Sequence, residues 1–349
     1  MAAKRVTIKD VASRAGVSIA TVSHVLNGTK FVSEEMQSRV NESVKELDYR
    51  PSSVASSLRR QRSQVLGLVL PMRDQDSSAI FFTQLAAGIE EVASRHGYRS
   101  VISNSVEDSA REHAQLGMLR SQFTDFIDGL VLAQAAGSQE DEEEISTPVP
   151  VLYVDRIPSD PTGKDYVVTD NYRATTAALD RLFELEVQDV VGIFSPIDVS
   201  SMLERHGAFV AALQRRGIDT DRRVFEIPSS NEEGYGITKS ILRERPNIDA
   251  LFVANNTVAM GVVRALRETL GQRASNVSLV VYDEFEWLDI SELPILAIEQ
   301  PAYEMGREAA KVLLDRIADP SLPPSQRIVP SRLVEHGGFG KGGVVSNHR

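Results

Sequence analysis

The sequence predicts an α/β protein: an N-terminal three-helix head of helix-turn-helix type, then two doubly wound α/β subdomains. Three observations lead there. Two short helical patterns separated by a glycine open the chain. From residue 64 onward, short apolar runs alternate with amphipathic helices. That alternation falls into two halves of similar plan.

Bulk properties fit this reading. A chain of 349 residues holds more than one core, and 42% hydrophobic with 25% charged residues is a soluble globular balance. No apolar run approaches the roughly 18 residues of a membrane span. The N-terminus MAAKRVTIKDVA has basic residues with no apolar segment behind them, so no secretory signal is expected. Zero cysteines exclude disulfides, thiolate metal sites and a cysteine nucleophile. A cytoplasmic location follows as the expectation. The net charge of −11 is uneven: residues 1–62 carry 11 Lys/Arg against 6 Asp/Glu, while the remainder carries 27 against 43. A basic head on an acidic body suits a head that meets a polyanion.

In the head, Thr7 followed by Asp10 reads as an N-cap with an acid three residues on. Val11, Ala12 and Ala15 keep helical spacing, and Gly16 ends that helix and permits a tight turn. Ser18 caps a second helix running to Asn27, and Gly28 ends it. Ser33 caps a third, with Met36, Val40, Val44 and Leu47 on one face. On the second helix Val22, Val25 and Leu26 pack inward, which sends Ile19, Ala20, Thr21, Ser23 and His24 to the other side. Small side chains let a backbone come close to DNA, hydroxyls meet phosphates or base edges, and histidine donates to guanine.

Pro51 closes the bundle. The stretch SSVASSLRRQRS (52–63) is too short for a stable isolated helix and reads as a linker that orders on a partner. An apolar Leu58 beside Arg59, Arg60 and Arg62 suits a minor-groove wedge with cations for the narrow groove, or simply a basic linker.

In the body, VLGLVL (65–70), SVIS (100–103), GLVLA (129–133) and PVLYV (150–154) read as the strands of one half. VVGIF (190–194), VFEI (224–227), ALFVA (250–254) and VSLVV (277–281) read as those of the other. Helices around 83–96 and 110–122 lie between strands of the first half, and the changeover falls near 158–162. Continuous apolar strands between helices imply parallel sheets covered on both faces, whose ligands bind at the carboxyl ends of strands. Polar residues at those ends are the ligand candidates: Asp155 and Arg156, Asn255 and Asn256, Tyr282 and Asp283, and Arg205 opening a helix. Carboxylates accept from hydroxyls and arginine donates paired bonds, a combination suited to polyhydroxyl ligands. Phe81, Phe82 and Trp287 offer apolar or stacking faces.

Other signals carry no chemistry. GFGKGG (338–343) fits GxGxxG, but no βαβ unit surrounds it, and Lys341 precedes glycine rather than Ser/Thr. EDEEE (140–144) is a solvated run, the six histidines show no HExxH, and no GxSxG elbow occurs. No cofactor, metal or catalytic residue is expected.

The head and linker together resemble the lactose-repressor (LacI) family. The matching runs are TIKDVASRAGVSIATVSHVLNG, VSEEMQSRV, LDYRPSSVASSLR and VLGLVLP. The resemblance continues through VTDN (168–171), ERHGAFVAAL (204–213), LFVANNTVAMGVVRAL (251–266), VSLVVYDE (277–284) and QPAYEMGREAAKVLLDRI (300–317). It implies a dimeric, ligand-responsive transcription regulator with a body of periplasmic-binding-protein type. By resemblance, Thr7, Ser18, Ile19, Ala20, Thr21, Ser23, His24 and Asn27 belong to the DNA-binding head, with Ile19, Ala20 and His24 facing bases. Val54 and Ala55 meet across two hinge helices, and Leu58, beside Arg59, wedges into a central base step. Arg205 and Asp283 match effector-contacting positions, and Phe81 and Phe82 match aromatic positions at the cleft.

The resemblance also implies that the chain crosses between halves three times. The expected organisation is a head over 1–50 and a hinge over 51–63. A first effector subdomain spans 64–161 with 291–322, and a second spans 162–290 with 323–338. A flexible tail follows over 339–349. The chain departs from the family at His24, where arginine is usual, which changes the base read. Purine-binding members carry arginine where Val199 stands, and the lactose repressor has an aromatic residue where Ala302 stands. The expected partners are a pseudo-palindromic operator in double-stranded DNA, a second copy of the chain, and a sugar, sugar acid, polyol or nucleoside. The expected function is a repressor released by such an inducer, with a co-repressor that tightens DNA binding as the alternative. A transport-type binding protein sharing the body fold needs a secretion signal and no head. An enzyme needs a nucleophile–base pair or cofactor loop that the sequence lacks.

Overall fold

The computed structural model describes residues 6–27, 30–49, 62–73, 78–121, 126–137 and 149–340. The chain divides into two units, residues 1–63 and 64–349.

The first unit holds α1 (Ile8–Ala15), α2 (Ile19–Asn27) and α3 (Glu34–Glu46). Asp10 accepts from the Thr7 backbone N–H at 2.8 Å and from its hydroxyl at 2.7 Å, closing the first turn of α1. Gly16 ends α1 at φ 65°, a left-handed conformation that glycine adopts without steric cost. Arg39 of α3 reaches back to donate to the carbonyl of Ala15, pinning the turn between α1 and α2. Val11, Ala12, Ala15, Val22 and Val40 form the small core, with Val25, Leu26, Val44 and Leu47 packed against it. Met36, expected on that face, is 43% exposed.

The second unit consists of two lobes. In the first, β1 (Val65–Leu70), β2 (Arg99–Asn104), β3 (Gly129–Leu132), β4 (Val151–Val154), β5 (Asp165–Thr169) and β11 (Gln326–Val329) form one parallel sheet, in the order β11-β5-β4-β3-β1-β2. Helices α4 (Ser78–Arg95) and α11 (Ala302–Ala318) cover one face, and α5 (Ser109–Ser121) lies toward the other. The α4–α11 crossing is close: a Cβ on Gly88 would stand 2.0 Å from the Tyr303 carbonyl oxygen, and one on Gly306 2.0 Å from that of Leu85. Glycine at both positions is therefore required by backbone contact.

In the second lobe, β6 (Val190–Phe194), β7 (Val224–Glu226), β8 (Ala250–Val253), β9 (Ser278–Tyr282), β10 (Ile295–Glu299) and β12 (Arg332–His336) follow the order β12-β10-β9-β8-β6-β7. All neighbours are parallel except β12 against β10. Helices α6 (Asn171–Phe183) and α7 (Ser200–Arg215) bury one face. Helices α8 (Asn231–Glu244) and α9 (Asn256–Leu270) bury the other, with the short α10 (Glu286–Asp289) beside them. Fully buried strands explain the unbroken apolar runs in the sequence.

The strands correct the expected boundaries. Residues 165–169, placed by sequence in the second half, pair with β4 and β11 in the first sheet. Asp165 fixes them there, accepting from Arg316 of α11 at 2.9 and 3.0 Å. The chain changes lobes after Thr169, not near 158–162. Residues 295–299, expected in the first half, join the second sheet beside β9, and α11 makes the return. The stretch 323–338, expected wholly in the second subdomain, supplies two strands, one to each sheet. Pro330 separates them, having no N–H to continue a ladder. Ser331 turns the chain by donating its N–H to Asp170 at 2.8 Å, with its hydroxyl 2.6 Å from that of Thr169.

The expected tail over 339–349 is also corrected at its start. Phe339 is 1% exposed within the α6–α7 core, and its N–H donates to the His336 carbonyl at 3.0 Å. Residues 341–349 lie outside the described residues. Phe339→Ala is expected to cost about 3–5 kcal/mol, the range for deleting a buried phenyl ring, measured as a lower urea midpoint at constant slope. An unchanged midpoint would place the ring outside the core.

Candidate functional site

The parallel strands of both sheets point their carboxyl ends at a common cavity of about 290 Å³. Asp155 follows β4 and Asp283 follows β9, and both adopt left-handed backbone, at φ 66° and 70°. Each keeps its ladder bond, Asp155 N–H to Val167 at 3.1 Å and Asp283 N–H to Ile298 at 3.0 Å. The strand therefore stays paired while the chain bends sharply at the aspartate. Non-glycine residues in this region are strained and gather at functional sites, with aspartate among the most tolerant.

Arg205 lies on the first turns of α7 and is 6% exposed. Its Nε donates to Asn171 Oδ1 at 2.8 Å, one terminal nitrogen to the Ala254 carbonyl at 2.8 Å, and the other to Gln300 Oε1 at 3.1 Å. Its guanidinium carbon sits 3.6 Å from the Tyr282 ring centroid, a cation–π stack. A guanidinium has five N–H donors, so two remain for a ligand after these three bonds. Gln300 links Arg205 to Asp283, donating to Asp283 Oδ1 at 2.6 Å. Tyr282 is fully buried, bonded to Thr175 and to the Asn171 carbonyl, and burial pushes its phenol up to about 12.

On the first lobe's side, Arg156 makes a two-point pair with Glu107 at 2.6 and 3.0 Å and stands 3.4 Å from Asp155. Burial raises the Asp155 carboxyl above its ordinary value, against the opposing pull of Arg156 and Arg205. Phe81 and Phe82, on the first turn of α4, meet edge to face at 5.1 Å and form the apolar wall.

Of the sequence-derived candidates, Phe81, Phe82, Asp155, Arg205, Asn255 and Asp283 are brought together around this cavity. Asn255 also caps α9, accepting from the Val258 N–H at 3.3 Å. Trp287 is not among the lining residues: it packs from α10 against the second lobe's core. Tyr282 supports Arg205 from below, and Asn256 is buried away from the cavity. Sequence reasoning missed Glu107, Ser195, Asp198 and Gln300, all in the lining. Each follows a strand, as the named candidates do. Ser195 is the most informative, since its hydroxyl is buried without a hydrogen-bond partner. Elsewhere, Glu284, Asp289 and His336 converge, with the two ring nitrogens 2.9 and 3.1 Å from different carboxylates. That is a histidine held between two acids.

In the head, Ser18, Ile19 and Ala20 are exposed, and Thr21 and His24 are half-buried. The Ser18 hydroxyl accepts from the Thr21 N–H at 3.0 Å and lies 2.9 Å from the Thr21 hydroxyl, so it also serves as helix cap. Ser23, expected on the outer face, is 6% exposed and corrects that assignment: it neighbours Val22 on the side that packs inward. Thr7 is exposed but bonded to Asp10. The Asn27 side chain and Val54, Ala55, Leu58 and Arg59 lie outside the described residues.

A helix-turn-helix unit joined to a two-lobe body with a polar cavity at its strand ends defines a class of ligand-responsive DNA-binding proteins. Comparison with known proteins agrees. Residues 7–52 match the family described as bacterial regulatory proteins, lacI family. Residues 63–336 match periplasmic binding proteins and the sugar-binding domain of the LacI family. The ribose operon repressor of Halalkalibacterium halodurans is 30% identical over 329 residues, 94% of this chain and 95% of that protein. A solved CelR–cellobiose complex aligns over 96% of this chain and 100% of that one, with TM-score 0.71 and 27% identity. The lac repressor dimer bound to operator and the anti-inducer ONPF shares the fold over 97% of this chain and 100% of that one, at TM-score 0.82 and 24% identity. The chain belongs to the LacI family and is a ligand-responsive, sequence-specific DNA-binding transcription regulator, not an enzyme. Among the described residues, no helix is long and apolar enough to cross a membrane.

The strained cavity has a measurable stability cost. Because Asp155 holds its proton more tightly in the folded chain, its contribution to stability is full below its ordinary 3.8 and is lost as pH rises through the folded value. Asp155→Asn lacks that loss. Without ligand it is expected to melt above wild type at about pH 7, with the gap closing toward about pH 4. A lower melting temperature at neutral pH would show that the flanking arginines need the charge.

Proposed function

We propose that the cavity binds a small polyhydroxyl effector and that this ligand releases the regulator from its operator. The carrying observation is the convergence of Asp155 and Asp283, from opposite lobes, with Arg205 and the Phe81–Phe82 wall. Carboxylates accept from several hydroxyls, the remaining guanidinium N–H groups donate to ring or hydroxyl oxygens, and an aromatic face covers the C–H side of a sugar. The cavity volume lies near the lower end of the ~300–1,000 Å³ range of small-molecule sites. The names of relatives, a ribose operon repressor and a cellobiose-bound regulator, support a carbohydrate.

The head is proposed to read DNA through Ile19, Ala20, Thr21 and His24, with Ser18 at the helix entrance. Leu58 and Arg59 act in the hinge, as the family resemblance implies, beside Val54 and Ala55. One such head reads few base pairs, so the chain acts as a homodimer on a pseudo-palindromic site, in the cytoplasm with the DNA it controls. Genes for carbohydrate use are the expected targets.

Operator binding measured by fluorescence anisotropy with increasing D-ribose or another sugar tests the reading. Asp283→Asn keeps the side-chain shape but removes a charged acceptor, a loss of about 2–5 kcal/mol. Half-release is therefore expected at roughly 30-fold higher sugar or more. Unchanged half-release would move the effector out of this cavity. In the same assay His24→Ala is expected to weaken operator binding by about 0.5–1.5 kcal/mol, the scale of one hydrogen bond, with little effect on random DNA. Equal losses on both DNAs would remove histidine from base reading.

A further inference from the structure

We propose that Glu107 is a built-in counter-anion that restricts the effector to neutral polyhydroxyl compounds and turns away their phosphorylated or carboxylated counterparts. The inference rests on the polyhydroxyl reading above and specifies its charge.

Glu107 stands in the turn after β2, where Val106 and Glu107 are consecutive left-handed residues at φ 58° and 60°. The turn is fixed by the Val106 N–H donating to Asn104 Oδ1 at 2.8 Å and the Asp108 N–H to the Ser105 carbonyl at 3.1 Å. Both carboxylate oxygens are in use. Oε1 accepts from Arg156 and from the Ala136 N–H, each at 2.6 Å, and Oε2 accepts from Arg156 at 3.0 Å. This fork is the geometry with which arginine grips a ligand carboxylate or phosphate. Here a side chain of the protein already fills it. Arg156 also donates to the Gln134 carbonyl, and Asp155 neutralises it from 3.4 Å without a hydrogen bond to its Nε. Burial pushes the Glu107 carboxyl up, but its Arg156 bonds outweigh that and hold it below the ordinary range, so it is ionised at neutral pH.

Counted over the lining, the cavity carries no excess of positive charge to draw in an anion. Arg73, Arg156 and Arg205 line the cavity together with Glu107, Asp155, Asp198 and Asp283. Even with Asp155 protonated, carboxylates match guanidiniums in number. Arg205 spends three donors on the protein and its face on Tyr282. Arg73 already lies in the field of Glu107. An arriving phosphate or carboxylate would have to displace Glu107, leaving a carboxylate with 10% side-chain exposure unpaired, or accept carboxylate neighbours on several sides. A neutral hydroxyl meets acceptors at Asp155 and Asp283 and the unpartnered Ser195 hydroxyl.

Isothermal titration of the full chain with matched sets tests this: D-ribose, D-ribonate and ribose 5-phosphate, then D-glucose, D-gluconate and glucose 6-phosphate. The expected result is that wild type prefers a neutral member over its anionic counterparts by at least about tenfold. Glu107→Gln should shrink that preference by about tenfold or more, whereas Glu107→Asp, which keeps the charge, should retain it. Melting curves without ligand show whether each variant is folded, and if Glu107→Gln is not, the wild-type preference and Glu107→Asp still decide. A wild type that binds an anionic member more tightly overturns the inference and leaves the polyhydroxyl reading standing. A folded Glu107→Gln with wild-type selectivity, or a folded Glu107→Asp that loses it, also overturns the inference. Binding of no member of either set overturns the polyhydroxyl reading, and the inference with it.

Discussion

The buried guanidinium of Arg205 holds the centre of the body. Its three hydrogen bonds reach the start of α6 at Asn171, the end of β8 at Ala254, and the return to the first lobe at Gln300. Its face rests on Tyr282 at the end of β9. These elements are distant in sequence, and two of them flank places where the chain passes between lobes. A buried charge is costly unless hydrogen-bonding partners are held around it. Fixing this group therefore fixes the relative positions of the elements that satisfy it. Arg205 also lines the cavity, so on the proposed reading a ligand addresses the same group that organises the crossings.

The two aspartates extend this logic to both lobes. Asp155 and Asp283 each end a paired strand with a left-handed residue, one in each sheet. Neither conformation nor burial favours the empty protein: the backbone is strained and the Asp155 carboxyl is raised by desolvation. On the proposed reading, a ligand hydroxyl donating to the Asp155 carboxylate offsets part of that cost. Stability and recognition pull in opposite directions at these positions, as they do at many binding sites.

Much of this was legible in the sequence because burial leaves a pattern. Fully covered strands such as VVGIF and ALFV read as unbroken apolar runs, and Gly16 punctuated the head. What was not legible was which sheet a strand enters. DYVVT and ILAIE are apolar in either lobe, and their membership is decided by distant contacts, such as Asp165 with Arg316. The site followed the same division. Asp155, Arg205 and Asp283 stood at strand ends or in family motifs; Glu107 and Gln300 also follow strands, but their importance shows only through their partners, Arg156 and Asp283. Trp287 illustrates the converse, since a large aromatic near a ligand residue was read as a wall when α10 turns it into the core. Ser23 failed for a related reason: a small hydroxyl carries no sign of which side of α2 it occupies.

A cavity built from two lobes also explains how few contacts a switch needs. A ligand moves a conformational equilibrium only by its difference in affinity for the two states. Passing from 1:99 to 99:1 takes about 5.5 kcal/mol, and a hydrogen bond to a charged group contributes about 1.5–3 kcal/mol. Two or three such bonds, present in one arrangement of the lobes and absent in the other, are sufficient. Asp155 lies on one side of the cavity and Asp283 and Arg205 on the other, so a ligand touching all three makes its full set only when the lobes are closed upon it. The Ile157 N–H donates directly between the lobes to the Ser200 hydroxyl at 2.7 Å. A ligand confined to one lobe would bind both arrangements equally and shift nothing, however tight its grip. On the proposed reading, the division of the acceptors between the sheets turns binding into a signal.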